Sequence, residues 1–326
     1  MRRRELIGLI GGVAAWPLAA RAQQPMRVPR IGVLWNGGSP DKHPLHPSLL
    51  EGFKAVGYVE GNLIFEERFL DEKYEKADLL AKQLVDLKCD VLIGVAAVSA
   101  LALRRATSTI PIVFAFNANP VGSGLVSSLN HPGGNVTGVT HVTADLAAKR
   151  VELLRDTIPG LSSVALIWDT SPAIQYINRA ELADIRTAAN RLGLSFDSVE
   201  CSSPEVVEEP ISRASRFGAA ILGNSSWFVF ERKRLAEQAL AKRLAMMSDS
   251  DVFSEAGFLI TYGANWSAVV RGVAPLVKKI IEGEKPENIP VHQPSVFDLV
   301  LNLRTAQALD LQIPSIMLAR ATRVID

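Results

Sequence analysis

The chain has 326 residues, of which 48% are hydrophobic, and this length exceeds what a single typical domain requires. Its 35 basic and 34 acidic residues leave a formal net charge of +1. This balance argues against a nucleic acid or an anionic membrane surface as a partner, because both are bound through an excess of positive charge.

The first 22 residues have the three parts of a secretory signal peptide, in order. Arg2-Arg3-Arg4 forms a basic start, Leu6 to Ala15 an apolar run, and Ala20-Arg21-Ala22 a small-x-small cleavage site. The apolar run is shorter than the about 20 residues that a membrane-spanning helix needs. The sequence therefore predicts a periplasmic protein exported by a cleavable signal peptide, residues 1–22. A buried N-terminal helix is the alternative interpretation.

The segment Arg3-Arg4-Glu5-Leu6-Ile7 also resembles a twin-arginine export signal, although no Ser or Thr precedes the arginine pair. The predicted cleavage point carries no cysteine, which excludes a lipid anchor there. The mature protein is therefore expected to be soluble in the periplasm.

From Val28 onward, buried apolar segments alternate with amphipathic segments, which is typical of strands and helices in βαβ units. The predicted strands of the first half are 30–35, 63–69, 90–95, 111–116 and a segment that starts at Val136. The predicted helices are one after His46, then 73–87 and 99–107, and a short helix after Pro120. Strands that are apolar throughout predict a parallel sheet covered by helices on both faces.

The same alternation restarts after Thr140. The predicted elements are helices at 144–157 and 174–192 and strands at 163–168, 194–199, 219–222, 245–248 and 258–262. Asn265 is expected to cap a strongly periodic helix, and the tail at 294–309 has the pattern of a strand followed by a helix. The sequence thus predicts an α/β protein with two Rossmann-like parallel sheets.

The sequence contains none of three common enzyme motifs. The chain lacks Gly-x-Ser-x-Gly, the phosphate-binding Gly-x-x-x-x-Gly-Lys and a complete Gly-x-Gly-x-x-Gly. His43 and His46 have i,i+3 spacing, but Pro44 lies between them and no cysteine or acidic cluster completes a metal site. We predict no catalytic residue, metal or cofactor. A catalytic pair formed only by folding, with His141 or His292 against a Ser, Cys or acid, is the alternative.

Polar and aromatic residues follow the predicted strands, at the edge where open α/β sheets bind ligands. The candidate ligand-binding residues are Trp35, Ser39, Ser99, Asn117 and Asn119 in the first half and Asp169, Asn224, Trp227 and Asp249 in the second. Ser39 and Ser99 stand at predicted helix starts, where a hydroxyl and free N–H groups suit an anion. The structural alternatives are caps and turns for the serines and asparagines, packing for the tryptophans, and solvated loop acids for the aspartates.

The segment 111–140 has the most specific pattern in the chain. Pro-Ile-Val-Phe is followed by Asn-Pro-Val, Gly-Leu-Val, Ser-Leu and Pro-Gly-Gly-Asn-Val-Thr-Gly. This order resembles the ABC transporter substrate-binding protein family, including its amino-acid and tryptophan-type carriers, whose fold is that of type I periplasmic binding proteins. The family has an acidic residue where this chain has Asn119. The resemblance covers nearly the whole mature chain.

The resemblance implies two lobes joined by a three-stranded hinge, with crossings near residues 140, 257 and 292. The lobes would comprise 28–140 plus 258–291 (N-terminal) and 141–257 plus 292–326 (C-terminal). Tyr262, followed by a glycine as in the family, would lie in the cleft between them. Cys89 and Cys201 fall in different lobes, where a disulfide would lock the hinge, so we predict two separate buried thiols.

The resemblance further implies a periplasmic solute-binding protein that delivers a small ligand to an ABC importer, with the permease in the inner membrane as its partner. The expected ligand is an amino acid or a similar small carboxylate, held by a monomer. A periplasmic ligand-sensing subunit for a membrane receptor kinase is the alternative, because both use the same fold. A transcriptional regulator of related fold is disfavoured, because an export segment stands where a helix-turn-helix would be needed.

Overall fold

The computed structural model describes residues 28–39, 43–59, 61–71, 73–141, 144–171 and 175–326. The predicted signal peptide, residues 1–22, lies outside the described residues. Among the residues that are described, no helix is long and apolar enough to cross a membrane.

The first lobe is built on a five-stranded parallel sheet in the order β2-β1-β3-β4-β5. Its strands are β1 (Arg30–Trp35), β2 (Ile64–Phe69), β3 (Val91–Val95), β4 (Ile112–Ala115) and β5 (Val136–Val139). The helices between them are α1 (His46–Ala55), α2 (Ala77–Asp86) and α3 (Ala97–Ala106), and a short 3₁₀ turn, Tyr74–Lys76, precedes α2. The strands β3 and β4 are buried along their whole length, which explains why their sequences are apolar throughout.

The second lobe is built on a seven-stranded sheet in the order β12-β11-β10-β9-β8-β6-β7. Its strands are β6 (Ser163–Asp169), β7 (Ser195–Cys201), β8 (Ala219–Leu222), β9 (Ala245–Ser248), β10 (Ile260–Ala264), β11 (Phe297–Asn302) and β12 (Arg323–Ile325). All neighbours are parallel except β10 and β11, which are antiparallel. The predicted two-lobed α/β architecture is confirmed, with this one antiparallel pair added.

Ten further helices of the described chain come after β5 in the sequence. They are α4 (Ala144–Thr157), α5 (Gln175–Arg191), α6 (Glu208–Ala214), α7 (Ser226–Phe230), α8 (Arg232–Ala241), α9 (Asp251–Ala256), α10 (Trp266–Arg271), α11 (Val273–Ile281), α12 (Leu303–Ala308) and α13 (Ser315–Arg320). Two further 3₁₀ turns are Pro204–Val206 and Pro286–Asn288. Of these helices, α10 and α11 return to the first lobe, where Arg271 Nη1 lies 3.3 Å from Glu51 Oε2 of α1.

One predicted lobe boundary is wrong. The segment 258–264, assigned to the N-terminal lobe, contains β10, which pairs with β9 and β11 in the second sheet. The crossing expected near residue 257 therefore lies after Ala264, at the start of α10. A buried strand has the same apolar pattern in either sheet, so the pattern could not indicate which sheet this strand joins.

The other two crossings lie side by side at the end of β5. The Thr140 N–H donates to the His292 carbonyl at 2.8 Å, and the His292 N–H donates to the Gly138 carbonyl at 2.8 Å. His292 thereby extends the first sheet by one parallel bridge before the chain continues to β11.

Two helices differ from their predictions. The segment after Pro120 forms turns instead of a short helix: Asn119 Oδ1 accepts from the Gly122 N–H at 2.7 Å, and Gly124 has a φ of +72°. Glycine is a weak helix former, and a left-handed residue ends a helical turn. The long helix predicted after Asn265 is divided at Gly272 into α10 and α11.

The two cysteines are separate buried thiols, as predicted. Cys89 precedes β3 in the first lobe, and Cys201 ends β7 in the second. Burial raises the pKa of Cys89 to about 11 and the pKa of Cys201 to about 12. Both thiols are therefore protonated and weakly nucleophilic at neutral pH.

Asn265 caps α10, because its Oδ1 accepts from the Ala268 N–H at 2.8 Å. We expect Asn265→Ala to lower the free energy of unfolding by about 1 kcal/mol, the usual loss for an N-cap. Urea unfolding followed by tryptophan fluorescence measures this change. Asn265→Ser retains a capping oxygen and should recover most of the loss; equal stability of the Ala and Ser variants would contradict the capping role.

Candidate functional site

The loops that follow strands of both lobes line one cavity in the cleft. It encloses about 90 Å³, and about 540 Å³ when the space that opens to solvent is included. The first lobe contributes Asn36, Gly37, His43, Leu45, Val95, Ala96 and Phe116. The second lobe contributes Asn224, Ser225, Ser226, Val229 and Phe230, and the crossing segments contribute His141 and Trp266.

Aromatic rings form one wall of this cavity. The ring centroids of Phe116 and Trp266 are 5.2 Å apart, and those of Phe116 and His141 are 5.6 Å apart. Burial lowers the pKa of His43 to about 3 and the pKa of His141 to about 4, so both imidazoles are neutral at neutral pH. The wall is therefore uncharged, and its ring faces can take an apolar or aromatic group.

A smaller recess of about 50 Å³ adjoins the cavity where α3 begins. Ala96, Ala97 and Val98 line it, and the first N–H groups of a helix have no partner within the helix. Ala96 has a φ of 75° and a ψ of 160°, a conformation that costs an L-residue about 1–3 kcal/mol. Ser99, in the first turn of α3, is fully buried. These donors at a helix N-terminus suit an anionic group.

Asp169, at the end of β6, organises the loop of the second lobe. The residue is fully buried, and its carboxylate accepts three hydrogen bonds, from Ser171 N–H (2.7 Å), Ser225 Oγ (2.6 Å) and Trp227 Nε1 (2.8 Å). Nearby, Asn178 Nδ2 donates to the carbonyls of Asp169 (2.9 Å) and Asn224 (3.0 Å). These bonds fix Asn224 and Ser225 at the cavity wall.

A buried charged cluster of Arg150, Glu181 and Asp249 lies beside this loop. Arg150 Nη1 donates to Glu181 Oε1 at 2.9 Å, and its Nε donates to the Tyr262 carbonyl at 3.0 Å. Burial raises the pKa of Glu181 to about 7, although the Arg150 guanidinium opposes this shift. The Asp249 carboxylate raises the pKa of both Glu181 and His141, so its charge acts on the cluster and on the cavity wall.

Buried polar atoms without a hydrogen-bond partner among the described residues collect around the cavity. Asn36 Oδ1 and His141 Nδ1 belong to residues that line it, and Asn178 Oδ1 belongs to a residue of the adjoining recess. Ser99 Oγ, in the helix turn whose residues Ala97 and Val98 line the recess, and Asp249 Oδ2 are also without a partner within the described chain. Because each unsatisfied buried group costs about 1–3 kcal/mol, a polar ligand placed among them would be stabilised.

The sequence-predicted residues fall into three groups. Asn224 lines the cavity, Ser99 lies in the helix turn that lines the recess, and Asp249 acts electrostatically on the lining residue His141. Trp35 and Trp227 are buried behind the cleft: Trp35 Nε1 donates to Glu67 Oε1 at 2.8 Å, and the Trp227 indole binds the Asp169 carboxylate. Both tryptophans therefore pack and position the loops that form the cavity.

The other predicted residues are held in turns and strands outside the lining. Ser39 lies in the loop before α1, not at a helix start, and its carbonyl accepts from the His43 N–H at 3.0 Å. Asn117 Oδ1 accepts from the Asn119 N–H at 3.0 Å, which forms an Asx turn. Tyr262, in β10, packs against Phe297 with ring centroids 6.3 Å apart.

Sequence reasoning missed the aromatic residues of the cavity. Phe116 directly follows β4, and Trp266 follows β10 by two residues, so their position after a strand was the available signal. His141 and Phe230 gave no comparable signal. The first is brought to the cavity by a hinge crossing and the second by the short helix α7, both of which depend on tertiary packing.

The described residues contain no group of three or more His, Cys, Asp and Glu side chains that could hold a metal ion. His141 Nε2 lies 3.4 Å from the Asn224 amide nitrogen. His292 lies in the third crossing, outside the residues that line the cavity. Neither imidazole ring has a hydrogen bond to a hydroxyl, thiol or carboxylate within the described chain.

Comparison with known proteins identifies relatives over most of the chain. Residues 42–325 match the model of the family described as ABC transporter substrate binding protein. A tyrosine-binding protein of Clostridioides difficile (strain R20291) is 24% identical over 279 residues, which cover 82% of this chain and 79% of that protein.

Two solved structures share the fold. A conserved domain protein from Vibrio cholerae has a TM-score of 0.83 and 27% identity, covering 91% of this chain and all of the other. A domain from Streptococcus pneumonia in complex with L-Trp has a TM-score of 0.83 and 22% identity, covering 91% and 99% of the two chains.

Proposed function

The chain belongs to the ABC transporter substrate-binding protein family, and we propose that its cleft binds an α-amino acid with an apolar, preferably aromatic, side chain. Members of this family are binding proteins. The observation that carries the proposal is the set of unpartnered buried polar atoms on residues that line the cavity.

The donors and acceptors suit the two charged ends of an amino acid. The α-carboxylate would lie at the start of α3, where free N–H groups and the Ser99 hydroxyl can donate. The α-ammonium would donate to Asn36 Oδ1 and Asn178 Oδ1, with the negative charge of Asp249 close by. Each charged end of the ligand thus has partners of suitable chemistry around the recess.

The aromatic wall supports an apolar ligand side chain. Phe116 lies between two other rings of this wall, with its centroid 5.2 Å from that of Trp266 and 5.6 Å from that of the neutral His141. Their faces and edges can contact an apolar or aromatic group. One similar protein is a tyrosine-binding protein and another was solved in complex with L-Trp, and both of these ligands are aromatic amino acids. These observations together favour an aromatic over a charged side chain.

Delivery to an ABC permease in the inner membrane from the periplasm is part of the same proposal, with the protein acting as a monomer. It rests on the family membership and on the signal-peptide pattern of residues 1–22. The predicted turn and packing residues, such as Asn117 and Asp169, would act by positioning the loops and would not contact the ligand.

Isothermal titration calorimetry with a panel of L-amino acids tests the proposed ligand class. We expect heat of binding with L-tyrosine, L-tryptophan or L-phenylalanine and none with L-glutamate or L-lysine. Two truncated analogues separate the ends of the ligand: 3-phenylpropionate lacks the amine, and phenethylamine lacks the carboxylate. Full affinity for either analogue would contradict the proposed contacts to the group that the analogue lacks. No heat of binding with any amino acid of the panel would refute the amino-acid assignment.

Asp249→Asn is expected to weaken binding of the best amino acid in that panel by about tenfold or more, because it removes the buried negative charge that faces the ammonium. The matched control is Asp251→Asn, because Asp251 lies 3.6 Å from Arg323 instead of beside His141. Dissociation constants from the same titrations measure both effects. An Asp249→Asn protein with unchanged affinity would remove this residue from the site.

A further inference from the structure

The two lobes touch each other directly at the mouth of the cleft. Asn36 Nδ2 of the first lobe donates to Ser226 Oγ, the first residue of α7 in the second lobe. At the other end of α7, the ring of Phe230 covers Gly37. The same ring lies edge-on to His43, with centroids 5.6 Å apart and planes at 70°. One short helix thus meets three residues of the opposite lobe.

Gly37 is needed at this contact for space and not for its backbone conformation. Its φ does not fall in the left-handed region, so an alanine would fit the backbone of the first lobe. A Cβ at this position would nevertheless overlap Cζ and Cε2 of Phe230. The Phe230 ring can occupy this position only because residue 37 has no side chain. The same ring also contacts His43.

We propose that Phe230 seated on Gly37 is a clasp that holds the two lobes closed. Since contacts to a ligand come from both lobes, tight binding requires the closed arrangement, and the observed affinity falls with the closed fraction. The size of residue 37 therefore determines the closed population and, through it, the affinity. This inference concerns closure of the lobes and holds whichever small ligand the cleft takes.

The chain provides a matched control in the adjacent glycine. A Cβ on Gly38 would meet Asp71 Oδ1 at 3.5 Å, an ordinary van der Waals distance, and Gly38 also has no left-handed φ. Gly38→Ala therefore adds the same methyl group to the same loop without touching the opposite lobe. Any general effect of alanine on this loop appears in both variants.

Small-angle X-ray scattering tests the clasp on protein freed of small molecules by unfolding in guanidinium and refolding. We expect the parent and Gly38→Ala to give the radius of gyration calculated from the closed structure, and Gly37→Ala and Phe230→Ala to give a larger one. In the Phe230→Ala background, Gly37→Ala should cause no further expansion, because the ring it displaces is already absent. Circular dichroism and urea midpoints verify that each variant is folded.

Three results would overturn the proposal. One is an expanded parent protein, because the clasp would then fail to hold the lobes together. Another is an unchanged radius of gyration in Gly37→Ala. The third is an equal effect of Gly37→Ala with and without the Phe230 ring, which would show that the added methyl group acts elsewhere. None of these results involves ligand binding, so a failed amino-acid titration leaves the clasp testable.

Discussion

Arg150→Met is expected to unfold with a free energy about 3–5 kcal/mol lower than that of the parent protein, because it leaves a buried carboxyl group without its cationic partner. Arg150 and Glu181 are both buried, and Nη1 donates to Oε1 at 2.9 Å. The same guanidinium holds the Tyr262 carbonyl of β10, so it links α4, α5 and the strand before the second crossing. Urea unfolding at pH 7 measures the difference.

Two further variants show whether the lost ion pair is the cause. Lys149→Met removes the neighbouring cation, whose pair with Glu152 is solvent-exposed, and should change stability by no more than about 1 kcal/mol. Arg150→Met combined with Glu181→Leu removes both charges and should recover much of the loss, since buried pairs can be replaced by apolar residues. If the double variant is as unstable as Arg150→Met, the lost free energy of unfolding comes from altered packing and not from the broken ion pair.

The stability of the protein is expected to fall as the pH falls from about 6.5 towards 4. Burial lowers the pKa of His43 to about 3 and the pKa of His141 to about 4, so the folded state binds fewer protons than the unfolded state in this window. Each depressed histidine contributes stability that is present above pH 6.5 and lost on acidification, on the order of 3 kcal/mol for His141.

Glu181 acts in the opposite direction. Its pKa is raised by burial to about 7, so its contribution is present at low pH and is lost as the pH rises from about 4.5 through 7. The stability that Glu181 gains on acidification is about as large as the stability that one of the two histidines loses. The loss at the other histidine remains, so the protein is less stable at low pH. Urea unfolding at a series of pH values between 4 and 7.5 measures the sum.

His43→Asn should flatten this pH dependence, because it removes the histidine whose pKa is shifted furthest. His131→Asn is the matched control, since His131 is exposed on a loop of the first lobe. We expect the control to retain the full loss of stability between pH 6.5 and 4. If His43→Asn loses the same stability between pH 6.5 and 4, the buried neutral His43 is not the source of the acid sensitivity.

The local elements of this protein could be predicted from the sequence because each depends on neighbouring residues. The predicted bounds of the helix 144–157 and of the strands 219–222 and 245–248 agree with those in the structure, and Asn265 caps its helix as expected. The resemblance over 111–140 identified the family, because its motif is a short run of neighbouring residues that can be read directly from the sequence.

The site itself was predicted only in outline. Of the predicted ligand-binding residues, Asn224 lines the cavity, and Ser99 lies in the helix turn that lines the recess; their contact with a ligand stays a prediction. The aromatic wall and the Phe230–Gly37 contact join residues of different lobes, and no spacing along the chain records such pairs.

The sequence by itself determined the alternation of strands and helices, the family and the separation of Cys89 from Cys201, because burial periodicity and short motifs are local properties. Only the tertiary structure decided that β10 joins the second sheet, that Arg150 pairs with Glu181, and which side chains face the cleft. The physical reason is that an apolar pattern records whether a residue is buried, whereas its partner depends on how distant elements pack together.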